Sequence, residues 1–203
     1  GSGSVIHGMH HEQDMRRMGA LRKLMPVTAI TFIIGWLAIA GVPPFAGFWS
    51  KDEILLYVYA NNRGLYVVGL ITALLTAYYM TRQVIMVFYG EAKWKDHAHD
   101  HGAHGDFEPH ESPKIMLFPL IVLSVLSVIG GAMQLPFTKN LHFLEHWLAP
   151  VVEESEADIH HTWAYENKYV LLVVAVLIAA TGIAAAFAVY AKKKAKAIEP
   201  RVL

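Results

Sequence analysis

The sequence predicts an all-α fold, a polytopic bundle of transmembrane helices with one interrupted member, and three observations predict it. Only 17% of the 203 residues are charged while 55% are hydrophobic, whereas a soluble domain usually carries about a quarter charged residues. The apolar residues gather into runs of membrane-crossing length rather than into amphipathic stripes, and mean hydropathy is +0.36. One of those runs is broken by Pro43 and Pro44 and then resumes around Lys51, Asp52 and Glu53. In lipid such runs must be helical, because no water is present to satisfy the backbone.

Composition also excludes. Lys+Arg and Asp+Glu both number 17, so no basic excess points to nucleic acid. Cysteine is absent, which removes cysteine-held iron–sulfur clusters, thiol chemistry and disulfides from this chain. No cofactor or metal ligand set is assigned to it.

The elements follow in order. Residues 1–24 read as the end of a preceding helix and a loop. "GSGSVIHGMHHEQD" lacks the basic n-region of a signal peptide, so a segment of a longer polypeptide is expected. Residues 25–60 form the interrupted helix and 61–90 a second transmembrane helix. Residues 91–114 are a His-rich loop, and 115–135 a third transmembrane helix in which Pro119 introduces a kink and Gly130-Gly131 permit close packing. Residues 136–167 are an outer-side loop with an interfacial helix expected over 140–152. Residues 168–191 are the last transmembrane helix, rich in small residues from Ala179 to Ala188 that suit close helix approach. Residues 192–203 are a basic tail.

Basic residues set the orientation. Arg16, Arg17, Arg22, Lys23, Lys93, Lys95, Lys114 and the tail lysines fall on one side, against Arg63, Lys139 and Lys168 on the other. The N-terminal loop, the His-rich loop and the tail are therefore cytoplasmic, and the acidic 153–158 run lies outside. Trp49, Tyr57, Tyr89 and Trp163 are candidate interface anchors.

The break carries the chemistry. Two prolines remove backbone donors and clash with the preceding turn, and Gly41 and Gly47 bracket them. Ser50-Lys51-Asp52-Glu53 fits a capping box, predicting a new helix that starts there with Lys51 in its first turn. Two depths remain open. If 26–49 completes a crossing, Lys51 snorkels at the interface. If 41–47 unwinds inside the protein, Lys51 is buried, at about 2.5–3.5 kcal/mol while charged, and releasing a proton relieves that cost. Interrupted helices of this kind form ion sites in transporters.

"GSVIHGMHHEQDMRRMGAL", "LAIAGVPPFAGFWSKDEIL" and "TAYYMTRQVIMVFYG" together resemble NADH-quinone oxidoreductase subunit L, the respiratory complex I chain 5 family, in its C-terminal portion. The resemblance is strongest over 3–90. It implies a partial antiporter-like fold and a role in proton translocation driven by electron transfer elsewhere in the complex. It aligns Lys51 with the lysine of the second interrupted helix, on the route toward the outer side, and Asp52 with the adjacent acidic position. The first interrupted helix, its lysine–glutamate pair and the long lateral helix of such subunits have no counterpart in these residues, so one half-channel is expected. NADH, FMN, iron–sulfur clusters and quinone are expected in partner subunits. The partners are other membrane-arm subunits and the lipid bilayer, and the location is the bacterial inner (plasma) membrane rather than the mitochondrial one.

Other candidates stand beside Lys51 and Asp52. Glu53 reads as a helix cap or an electrostatic tuning group. His7 and His11 share a face at i, i+4 if the helix continues; His7, nearest the bundle, is a proton-relay candidate, whereas His10 and His11 read as loop residues. Arg82, inside an apolar run, reads as a structural ion pair or carbonyl cap, or as a group tuning the proton route. The tract holding His97, His99, His101 and His104 reads as a solvated loop, with divalent metal binding as its alternative. His142, His146, His160 and His161 read as interfacial. Rival functions are a His-loop metal transporter, a structural membrane scaffold, and a cation/proton antiporter or hydrogenase-linked homologous subunit.

Overall fold

The computed structural model describes residues 1–97, 108–131 and 162–191, and among them there is no strand. The helices are α1 (Ser2–Gly8), α2 (Pro26–Ala40), α3 (Ala46–Asn61), α4 (Arg63–Val84), α5 (Trp94–His97), α6 (Lys114–Ile129), α7 (Trp163–Glu166) and α8 (Lys168–Tyr190). Short 3₁₀ turns lie at Met15–Arg17 and Leu21–Lys23, and a π-helical turn, Ile85–Tyr89, continues α4. The expected interfacial helix at 140–152, the tract from His99 to His104, residues His142, His146, His160 and His161, and the basic tail lie outside the described residues.

Among the described residues two helices are long and apolar enough to cross a bilayer: the 27-residue run Arg63–Tyr89 and the 23-residue α8. Two more are apolar but shorter, α2 with 15 residues and α6 with 16. At 1.5 Å per residue α2 reaches about 22 Å, short of a hydrocarbon core of roughly 30 Å. The apolar run over 26–49 is not one unbroken helix, because α2 stops at Ala40. In the third predicted segment α6 runs to Ile129 and a 3₁₀ turn follows at 130–131; residues 132–135 lie outside the described ones. Pro119 lies inside α6 without ending it.

Large apolar side chains face outward along these helices, among them Ile71 and Leu75 on α4, Ile115, Phe118 and Leu123 on α6, and Leu177 on α8. Fully buried positions instead include small residues such as Ala40, Ala77 and Ala186. That inversion of the soluble pattern suits helices that meet one another through small residues and meet lipid or a neighbouring protein through large ones.

The chain forms two compact units. The first comprises Gly1–Trp36, Tyr78–Ser124 and Ile183–Leu203. Its core gathers Val5, Met9, Leu21, Met25, Val87 and Phe88, with the Phe32 and Phe88 rings 5.3 Å apart. Trp36 Nε1 donates to Thr81 Oγ1 at 3.1 Å. A polar knot closes one end: Glu111 accepts from the Val27 amide at 2.8 Å, the Thr28 amide at 3.3 Å and the Thr28 hydroxyl at 2.5 Å. Ser4 Oγ lies 2.8 Å from Thr28 Oγ1 and donates to Ser112 Oγ at 2.5 Å. The first amides of a helix have no partner inside it, so Glu111 caps α2 from 83 residues away in sequence.

The second unit comprises Leu37–Ala77 and Val125–Gly182. Here α3 and α4 form an antiparallel hairpin about a turn at Asn62, whose Oδ1 accepts from the Gly64 and Leu65 amides. Leu55, Tyr66, Ala164 and Leu171 form its buried cluster, and the Tyr59 ring lies 5.6 Å from Trp163 of α7.

Candidate functional site

The site begins where α2 ends. Gly41 adopts φ +78°, a left-handed conformation open to glycine. Its amide donates to Ala38 O at 3.1 Å and the Val42 amide donates to Leu37 O at 3.0 Å. Those paired bonds are a Schellman motif, which stops a helix with Gly at C′ and is commonly followed by proline. "AIAGVPP" therefore carries its own stop signal. The chain then turns through Val42–Phe45 and restarts at Ala46.

The restart corrects the capping-box expectation. α3 begins at Ala46, Phe45 occupies the cap position, and no side chain caps it. Ser50 is already inside the helix and donates its hydroxyl to Ala46 O at 3.4 Å. Lys51 consequently stands in the second turn, and Glu53, three residues beyond Ser50, is a helix-interior residue rather than a cap. The local Ser-x-x-Glu pattern lost to packing at the break. A Cβ on Gly47 would collide with Ala38 O, and one on Gly131 would collide with Pro44 O. Glycines thus let α3 start tight against the end of α2 and let the Gly130–Gly131 turn press on the proline loop, the close packing expected at that pair.

From its place on α3, Lys51 reaches back across the break. Its Nζ donates to the carbonyl oxygen of Ile39 at 3.5 Å, one of the last-turn carbonyls that α2 leaves without an intrahelical partner. Gly41 makes room for the lysine stem, since a Cβ there would stand 3.3 Å from Lys51 Cδ. Lys51 and Asp52 are both half-buried. They line a small cavity with Gly41, Leu55, Ala73, Ala175 and Ala179, of about 10 Å³. That is the scale of a single water site. The small residues of α8 therefore border the lysine, a pairing that sequence alone left without a partner. Glu53 is also half-buried.

The remaining candidates belong to the first unit. His7 lies in the last turn of α1 and is exposed, with its ring 6.0 Å from His110; it points away from the core rather than into it. α1 stops at Gly8, and His10 and His11 take φ of 50° and 71°, so His7 and His11 do not share a helical face. Among the described residues no group of His, Cys, Asp or Glu is placed to hold a metal ion. Arg82 lies 5.4 Å over the Tyr190 ring, a cation–π contact that its sequence neighbours did not suggest. A much larger cavity of about 860 Å³, lined by Met18, Trp36, Phe187 and Tyr190 among others, contains none of the predicted site residues.

Outside the membrane-spanning helices, the Asp14 carboxyl is held below its ordinary value. The main cause is the Arg16 side chain, whose Nε donates to both carboxylate oxygens at 2.9 Å.

Sequence reasoning missed three contributors. The Ile39 carbonyl carries no side-chain signal, although Gly41 followed by Pro43 would have located the end of α2. Glu111 lies far from α2 in sequence. Tyr66 looks like any interface tyrosine.

Residues 1–76 match the family described as NADH:quinone oxidoreductase/Mrp antiporter, TM. Residues 51–199 match a second family, described as the C-terminal transmembrane segments of a complex I NADH dehydrogenase chain. The chain is 45% identical, over 94% of its length, to NADH-quinone oxidoreductase subunit L of Mycobacterium tuberculosis. It is 48% identical over 68% of its length to NAD(P)H-quinone oxidoreductase chain 5 of a Picosynechococcus species, and 39% identical over its whole length to that of a Synechocystis species. It spans 28%, 24% and 34% of those relatives respectively, a quarter to a third of each.

Proposed function

Since the chain belongs to the NADH-quinone oxidoreductase subunit L and chain 5 family, we propose that it supplies one proton half-channel in the membrane arm of that complex. Lys51 is the proton-exchanging group and Asp52 its neighbour. The supporting observation is the reach of Lys51 Nζ across the helix break to Ile39 O. The negative end of a helix favours a cation by about 0.3–1 kcal/mol, up to about 2 when partly buried. A charged lysine inside a membrane protein costs about 2.5–3.5 kcal/mol. The two are close enough that a change in neighbouring charge or hydration tips the amine between its states.

In this reading α2 and α3 together make one interrupted crossing, placing the break within the bilayer. Protons taken up by Lys51 pass by Asp52 and water in the adjoining cavity toward the outer face. Redox chemistry belongs to partner subunits, where NADH, FMN, iron–sulfur clusters and quinone are bound. This chain contributes a bundle of transmembrane helices packed against other membrane-arm subunits in a bacterial inner membrane. Glu53 and Arg82 act by electrostatics alone. His7 stands on the cytoplasmic side with His110, where it can exchange protons with solvent.

The test is Lys51→Ala in the whole polypeptide of the assembled complex, measuring NADH-driven proton translocation in sealed vesicles. Translocation should fall while the complex still assembles. Wild-type translocation and electron transfer in an assembled Lys51→Ala complex overturn the proposal.

A further inference from the structure

Tyr66 is 7% exposed, and its buried hydroxyl makes no hydrogen bond among the described residues. Buried hydroxyls rarely go without a partner, and where one does, an unplaced water is a standard reason. The position of this hydroxyl gives that water a purpose. α3 and α4 run antiparallel in a register marked by three pairs of neighbours. Asp52 and Ala73 line the same small cavity, Leu55 Cδ2 would lie 2.8 Å from a Cβ on Gly69, and the Tyr59 and Tyr66 rings stand 5.0 Å apart, edge to face at 88°. Leu55 belongs both to the cavity of Lys51 and Asp52 and to the cluster around Tyr66.

Tyr66 therefore stands about two helical turns, roughly 10 Å along the axis, beyond Asp52. It lies on the side of the α3–α4 turn, the outer side in the half-channel reading. A tyrosine side chain with one or two waters covers that span. The cluster around Tyr66 holds one other hydroxyl among the described residues, that of Tyr59; Leu55, Leu56, Val58, Leu70, Ala164 and Leu171 are apolar.

We propose that the Tyr66 hydroxyl is the proton-passing group next after Asp52 on the outward half of this channel. The inference rests on the proton half-channel assigned above. A phenol both accepts and donates a hydrogen bond. In each transfer the oxygen takes a proton from a water on the Asp52 side and gives up its own to a water on the outer side. The O–H bond that breaks is replaced by the one that forms, so the phenol stays neutral, and rotation about its C–O bond resets the hydroxyl for the next transfer. Tyr59 holds the ring edge-on and steadies the hydroxyl.

The experiment uses the whole polypeptide in the assembled complex, with translocation measured per assembled enzyme in sealed vesicles and in both H₂O and D₂O. Tyr66→Phe keeps the ring that packs on Leu55 and Tyr59 and removes only the hydroxyl. Translocation should slow by about tenfold or more, as when a positioned proton-transfer group is removed, with an altered solvent isotope effect. Tyr79→Phe, which removes the hydroxyl of an exposed tyrosine on α4, should leave both unchanged. A Tyr66→Phe enzyme that translocates at the wild-type rate, with an unchanged isotope effect, overturns the inference. If the Phe variant fails to assemble, 3-fluorotyrosine at position 66 keeps shape and hydroxyl while making the proton more acidic; an altered isotope effect then supports the role and an unaltered one overturns it. Lys51→Ala separates the two readings. If it slows translocation while Tyr66→Phe does not, the half-channel stands and the tyrosine role falls; if Lys51→Ala has no effect, both fall.

Discussion

Lys51 Nζ lies 3.5 Å from the carbonyl oxygen of Ile39, so the lysine of one helix is the ligand of the unpaired end of another. Breaking a helix exposes carbonyls that water or a cation must satisfy. Here the break and the cation are supplied by the same short stretch of chain. The lysine's charge is thereby tied to the geometry of the break, and anything that moves α3 relative to the end of α2 changes how well the charge is held.

Lys51→Arg tests whether charge or proton exchange matters at this position. Arginine keeps the positive charge but does not release its proton in proteins. If exchange is required, NADH-driven translocation in the assembled complex should fall to about a tenth or less, the equivalent of roughly 1.4 kcal/mol of barrier. Translocation at the wild-type rate would show that a fixed charge suffices.

Gly131→Ala and Gly47→Ala should each disturb the break from outside the lysine. Their Cβ atoms would meet the Pro44 and Ala38 carbonyls, which are backbone and cannot swing aside as a flexible side chain can. Overpacking of this kind costs about 1–3 kcal/mol. Lower thermal stability of the purified complex is expected, and Gly35→Ala, where a Cβ meets nothing within 4 Å, is the control.

Glu111→Ala should release the start of α2. The carboxylate accepts from the Val27 and Thr28 amides, and losing a helix cap costs about 0.5–2 kcal/mol. Hydrogen exchange at those two amides should accelerate, whereas exchange in the middle of α8 should not.

Acid should loosen the loop before α2 through Asp14. Its carboxyl is held below the ordinary value of 3.8, first by the hydrogen-bonded Arg16 side chain. A depressed carboxyl stabilises the folded loop fully above the unfolded value and loses that contribution as pH falls through the lower, folded one. Protection of the Arg16 amide, which donates to Asp14 Oδ1 at 2.9 Å, should therefore hold down to the ordinary aspartate value and decline below it. Asp14→Asn should remove the pH dependence.

Much of the fold was legible because lipid leaves so few solutions. Long apolar runs at 61–90 and 168–191 announced α4 with its π turn and α8, and Pro43-Pro44 announced the break. The start of α3 was not legible. Ser50-Lys51-Asp52-Glu53 is a sound local cap, but the adjoining turn could pack at Gly47 and Gly131 and so carried the helix back to Ala46. His7 and His11 would share a face only in a continuous helix, and the chain leaves helical geometry at His10 and His11. Arg82 reads from its neighbours as an ion-paired residue, a carbonyl cap or a tuning group, and no local pattern pointed to the Tyr190 ring, more than a hundred positions along the chain.

By itself the sequence determined that this chain is helical, that one apolar run is interrupted, and that a lysine and an aspartate follow the interruption. Composition and proline chemistry act locally and need no knowledge of neighbours. Only the tertiary structure decided what that lysine faces, which alanines of α8 enclose it, which distant glutamate caps α2, and that Tyr66 has a buried hydroxyl near Asp52. Those are relations between residues far apart along the chain, and they exist only once the helices have packed.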